Sequence, residues 1–209
     1  MMDVLEAITS RHSVRAFLPD PVPEETLMQL LDAAHQAPSS MNLQPWEFIV
    51  VTSQEAKDAL SECVTAGNVN VVKNGGATFV CLGSMRQQDA LADRLEKQWI
   101  TPDATPERIE RVQRNLLRLR EDKEFRREHV LTNTYIAVAQ LVLAAERFGL
   151  GSLWMGGFFE EKVKAAMGIP DDYIVASLIT VGRPAPEAAL QPRKRRPLSE
   201  IYSFNRFER

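Results

Sequence analysis

Tyr135-Ile136-Ala137-Val138-Ala139-Gln140-Leu141-Val142-Leu143-Ala144-Ala145-Glu146-Arg147-Phe148 is the stretch whose reading decides the fold class of this chain. Its apolar residues, from Ile136 through Ala145 with only Gln140 interrupting, cover nearly every side of a helix, which predicts an element buried all round. Small residues among the large ones allow a second helix to come close. So apolar a helix needs either the chain's own core or a partner subunit around it. Gly149 then supplies a left-handed stop.

Shorter elements surround this helix without regular alternation. Val4, Leu5 and Ile8 stand at helical spacing before Arg11, and a second helix opens at Pro23-Glu24-Glu25 with Leu27, Leu30, Leu31 and Ala34 as its stripe, ending by Pro38. Glu47–Val51 reads as a buried strand, and Thr52 with Glu55 has capping-box spacing for a helix from about Gln54 to Ala66. Thr78–Leu82 is a second strand. Residues 86–128 turn highly charged and read as a helical insertion, with Thr105-Pro106 as an N-cap and N1 pair and an apolar stripe at Ile109, Val112, Leu116 and Leu119. A short strand and loop (151–159), a helix (160–167) closed by Gly168 and a strand (Ile174–Val181) follow, before a Pro-rich, basic and finally aromatic tail. Helices mixed with three or four strands predict an α+β sandwich: one domain over 1–209, with helices flanking a mixed, mostly antiparallel sheet.

Composition narrows the function classes. The 209 residues are 44% apolar with a formal charge of -3, ordinary for a soluble globular domain and unlike the strongly basic footprint of a nucleic-acid binder. No apolar run reaches membrane-span length, and the N-terminus lacks the pattern of a secretory signal, so a cytoplasmic protein without a membrane partner is expected. Cys63 and Cys81 form neither a disulfide framework nor, with three histidines in all, a zinc site; both read as core thiols, and no metal site is expected.

Four stretches carry chemistry. In Arg11-His12-Ser13-Val14-Arg15 an extended chain turns Arg11, Ser13 and Arg15 to one side, where two guanidinium forks and a hydroxyl suit a phosphate. The same pattern also fits a solvated basic turn. Ala37-Pro38-Ser39-Ser40-Met41-Asn42-Leu43-Gln44-Pro45-Trp46 concentrates hydroxyls and amides between helix and strand, enough to satisfy the edge of a flavin ring or simply to cap its own backbone. Gly149-Leu150-Gly151-Ser152-Leu153-Trp154-Met155-Gly156-Gly157-Phe158 lets backbone approach a planar ligand, yet it is no Rossmann fingerprint and carries no Walker lysine. Pro192-Arg193-Lys194-Arg195-Arg196-Pro197-Leu198 lines up four cations that either bind an anion or stay solvated.

In this order and spacing the four motifs resemble the FMN-dependent nitroreductase family, over nearly the whole chain. The resemblance implies an intertwined homodimer with two FMN sites built at the interface from both subunits. It implies phosphate and pyrimidine-edge contacts from Arg11, Ser13 and Arg15, with His12 lending backbone. Ser39, Ser40, Met41, Asn42 and Gln44 match the loop contributed by the other subunit. Met155, Gly156 and Gly157 match the segment whose amide reaches the flavin ring, Arg193 and Arg195 match a closing phosphate clamp, and Asn70 lies where some relatives place a flavin-bonding Asn. The insertion falls where helices cover the flavin in the family, which makes Trp99 and Phe125 candidate substrate-pocket residues, with Met41 of the preceding loop a third. The implied activity is hydride transfer from NADH or NADPH to a nitroaromatic, a quinone or a similar small organic acceptor in a ping-pong cycle, with no catalytic side chain because the cofactor carries the chemistry. Other flavin chemistry on the same fold (reductive dehalogenation, flavin fragmentation, dehydrogenation) and a non-catalytic FMN-binding regulatory module are the competing readings.

Overall fold

A computed structural model of the chain describes residues 3–85, 96–186, 188 and 193–207. In chain order its elements are α1 (Val4–Ser10), α2 (Glu24–His35), β1 (Trp46–Val51), α3 (Gln54–Ser61), α4 (Val69–Asn74), β2 (Ala77–Ser84), α5 (Pro106–Glu121), α6 (Lys123–Arg147), β3 (Gly151–Met155), α7 (Glu160–Met167) and β4 (Tyr173–Gly182). The strands form one antiparallel sheet in the order β1-β2-β4-β3. Period-two alternation divides the central strands between two layers: Val80 and Leu178 join Leu60, Val72 and Val163 on one face, while Phe79 and Ile179 join Leu30, Ala137 and Leu141 on the other. The α+β sandwich expected from the element pattern is the fold observed.

Local signals place several boundaries. Gly149 and Gly168 adopt φ of 65° and 66°, and each ends its helix in the left-handed region that an L side chain resists. Thr105 caps α5 by accepting from the Arg108 amide, with Pro106 in the first turn, and Val112, Leu116 and Leu119 are buried along it. Cys63 and Cys81 are buried free thiols, and burial pushes the Cys81 thiol up to about 12, an inert core group.

Three local expectations are corrected. Strand β1 lies at the sheet edge, so its middle residues are half-buried, not enclosed on both faces. Helix α3 is capped by Ser53, whose Oγ accepts from the Ala56 amide at 3.2 Å, and not by Thr52. It stops at Ser61, whose hydroxyl donates to the Asp58 carbonyl at 2.7 Å and competes with helix continuation; a 3-10 turn (Ala66–Asn68) and α4 take up the rest.

The third correction concerns the long helix. Asp122 accepts from the Phe125 amide at 2.9 Å and starts α6 at Lys123, so residues 123–128 belong to this helix and not to a separate insertion. The first part of the insertion, 86–95, lies outside the described residues. Nor is α6 enclosed on every side: Val138 and Leu141 are fully buried against α2 and the sheet, but Tyr135 and Ile136 are 38% and 41% exposed and Ala139 is exposed too. A single chain supplies layers to only part of the helix circumference, which leaves an apolar strip facing outward. Among the described residues no helix is long and apolar enough to cross a membrane.

Candidate functional site

The two ends of the chain meet at one corner. Helix α1 ends at Ser10, and the chain then extends, with Ser13 bridging Ser152 of β3 and the Val14 amide donating to the Ser152 carbonyl at 3.0 Å. Val14 turns into the core between outward Ser13 and Arg15, the alternation of an extended segment, and Phe17 is buried further on. Arg11 is partly buried, and its guanidinium is held below the ordinary Arg range by burial first and then by Arg193 and Arg195, with Glu146 opposing. Arg193 also donates to the Ile8 carbonyl at 3.1 Å. Glu146, in the last turn of α6, accepts from the Ser10 hydroxyl at 3.3 Å, and burial pushes its carboxyl above the usual range against the pull of Ser10, Arg11, His12 and Arg193. Arg11 and Arg193 thus act on one carboxylate while Arg195 acts on Arg11, an excess of positive charge that an anion would balance.

Strand β3 leads from this corner to Gly156 and Gly157. Four residues from Ser152 to Gly156 cover roughly 13 Å at strand rise. Met155 is 2% exposed with its side chain in the core, so only its backbone is available to a ligand. The two glycines differ. A Cβ on Gly157 would come within 2.7 Å of Thr65 Oγ1 and 3.1 Å of Asn68 Nδ2, whereas one on Gly156 meets nothing within 4 Å. Gly157 is therefore required by packing, and Gly156 opens to space. Gly157→Ala is expected to destabilise the fold by about 1–3 kcal/mol, seen as a lowered urea midpoint, while Gly156→Ala leaves that midpoint unchanged.

Asn68 Nδ2 donates to the Gly157 carbonyl at 3.2 Å, and Asn70, the flavin-contact candidate, is exposed on α4. Nothing local in the sequence marks Asn68 as a support of this segment; the 3-10 turn aims it there.

The Ser39–Gln44 loop has an unusual backbone. Met41, Asn42 and Gln44 adopt φ of 54°, 57° and 48°. Asn tolerates this region, but Met and Gln each resist it by about 1–2 kcal/mol. Hydrogen bonds oppose that cost: Ser39 Oγ accepts from the Gln44 amide at 3.0 Å, Gln44 Nε2 donates to Asn42 Oδ1 at 2.6 Å, and the Ser40 amide donates to Asn133 Oδ1 at 2.8 Å. Leu43 roots the loop among Val112, Leu116 and Leu119, and Met41, Trp99 and Phe125 pack on the same cluster. The three pocket candidates therefore form one apolar patch, with the Arg108 guanidinium 5.5 Å from the Trp99 ring centre and that of Arg118 3.8 Å from Phe125.

Loop and corner stand apart within the chain. Both attach to α6, the loop at Asn133 and the corner at Glu146, thirteen residues apart and so about 20 Å along the axis at 1.5 Å per residue. The first, third and fourth motifs are brought onto one side of β3; the second is not.

Comparison with known proteins gives this arrangement its class. The chain matches the nitroreductase family over residues 8–183 and belongs to that family. It is 35% identical over 203 residues to an NADH dehydrogenase of Thermus thermophilus, covering 96% of this chain and 95% of that one. It is 28% identical over 189 residues to the CLA biosynthesis enone reductase of Lactiplantibacillus plantarum, covering 88% and 87%. A protein of Exiguobacterium sibiricum solved in complex with FMN shares the fold with a TM-score of 0.80 at 24% identity over 98% of each chain.

Proposed function

We propose that this nitroreductase-family enzyme is a homodimer that holds FMN at each of two interface sites and passes reducing equivalents from NADH or NADPH to a nitroaromatic, a quinone, an enone or a similar small organic acceptor. It is an NAD(P)H-dependent oxidoreductase; the cofactor placement, the dimer and the acceptor are the proposal. The observation that carries it is the corner where Arg11 and Arg193 lie by Glu146, with Arg195 near Arg11 and Arg193 donating to the Ile8 carbonyl. Such a cluster fits a phosphate monoester, and the open space over Gly156 fits a ring at the other end of β3. Bound FMN would supply the redox chemistry itself.

The protein's part is binding and orientation. Arg11, Arg193 and Arg195 hold the phosphate, Ser13 and Arg15 reach the ring edge, and the backbone at Gly156 offers its N–H to the ring. Ser39, Ser40 and Asn42 come from the second subunit, since about 20 Å of helix parts them from the corner of their own chain. Met41, Trp99 and Phe125 form the wall over which donor and acceptor bind in turn. The outward strip of α6 and the exposed Trp154, Phe159, Tyr202 and Phe204 provide the apolar area for the second subunit. The test is the visible spectrum of the purified protein. A flavin band that bleaches under anaerobic NADH or NADPH and returns on adding a quinone or nitroaromatic is expected; a colourless protein that takes up no added FMN would overturn the reading.

A further inference from the structure

We infer that Asn133 is the positioning residue that holds the Ser39–Gln44 loop in its left-handed form, and so sets the cofactor contacts of the neighbouring subunit. The inference rests on the reading above, in which this loop meets FMN. Asn133 is 4% exposed in the middle of α6, with both ends of its amide engaged: Oδ1 accepts from the Ser40 amide at 2.8 Å and Nδ2 donates to the His129 carbonyl at 2.7 Å. The His129 bond fixes which way the amide faces, because a flipped amide would set two carbonyl oxygens against each other. Oδ1 is thereby directed at the loop.

The loop needs such a hold. Its internal bonds from Ser39 to Gln44 and from Gln44 to Asn42 close it on itself. Leu43 packs into the apolar cluster beneath it, and Trp99 Nε1 reaches the Met41 carbonyl at a long 3.4 Å. The Asn133 bond is short, buried and placed at Ser40, immediately before the left-handed Met41 and Asn42. Because α6 also carries Glu146 of the cationic corner, one rigid helix registers the loop given to the partner's site against the corner of its own.

The experiment compares Asn133→Leu, which removes the acceptor, with Asn133→Asp assayed at about pH 5, where a buried carboxyl stays protonated and keeps an acceptor oxygen for the Ser40 amide and an O–H donor for the His129 carbonyl. In apo protein, Asn133→Leu should speed hydrogen exchange at residues 40–44 at least tenfold while amides of the central strands β2 and β4 keep their protection. In the FMN titration it should raise Kd about tenfold, and Asn133→Asp should stay within about threefold of the parent in both assays. Parent-like loop exchange and affinity in Asn133→Leu would overturn the proposal. So would losses in Asn133→Asp as large as those in Asn133→Leu, and should the Leu variant fail to fold, Asn133→Ser, whose shorter hydroxyl can serve the His129 carbonyl but not the Ser40 amide, takes its place. A parent protein that binds no FMN would refute the cofactor reading, while the exchange arm would still report on the tether.

Discussion

Arg11→Ala is expected to weaken FMN binding roughly tenfold to hundredfold, the loss that follows when a charge-assisted hydrogen bond worth about 1.5–3 kcal/mol is removed. The side chain is partly buried and already strained by Arg193 and Arg195, so in the apo protein its removal relieves repulsion at the same time as it removes a phosphate contact. Binding therefore suffers while folding does not: the thermal midpoint of the apo variant should equal or exceed that of the parent, and the increment produced by saturating FMN should shrink. Pairing the change with Arg193→Ala should cost less than the sum of the single losses, because each removal lessens the repulsion felt by the remaining cations. Arg114→Ala is the control. That guanidinium is solvent-exposed, pairs with Glu110 on α5 and should leave FMN affinity unchanged. Flavin-fluorescence titration reads all four proteins, and an Arg11→Ala protein that holds FMN as tightly as the parent would remove the corner from the site.

Truncation after Arg196 is the second large effect. The removed segment carries Leu198, Ile201, Tyr202, Phe204 and Phe207, which are 51% to 79% exposed on the single chain. Burying five such side chains on a second subunit is worth on the order of 10 kcal/mol before the costs of ordering. None of these residues belongs to the core clusters, so the shortened chain should keep its far-ultraviolet circular dichroism. What it should lose is association and colour: a monomer by analytical ultracentrifugation at micromolar concentration, with little retained FMN because each proposed site needs both chains. A stable, yellow truncated dimer would show that α6 and its neighbours suffice for the interface.

Most element positions were legible because they are written locally. Gly149 and Gly168 stop helices by backbone conformation, Thr105-Pro106 starts one by capping, and the strands Thr78–Leu82 and Ile174–Val181 announce themselves as short apolar, β-prone runs; each signal acts within a few residues. Where two neighbours offered the same chemistry, local reading failed. Thr52 and Ser53 both suit an N-cap, and the choice fell to the one the three-dimensional path aimed correctly.

The first long stretch read, Tyr135–Phe148, marks the division most clearly. Sequence by itself determined that it is helical, that it is apolar beyond what one face requires, and that the four motifs lie in the order of the nitroreductase family. Tertiary structure decided which sides of the helix the chain covers, leaving Tyr135, Ile136 and Ala139 outward. It also decided that Arg11 meets Arg193 and Arg195 across nearly the whole length of the chain, and that Asn133 takes hold of Ser40. Periodicity and capping are short-range properties of the backbone, whereas burial and the meeting of distant charges depend on how layers stack. Neither can be read from a segment before its neighbours in space are known.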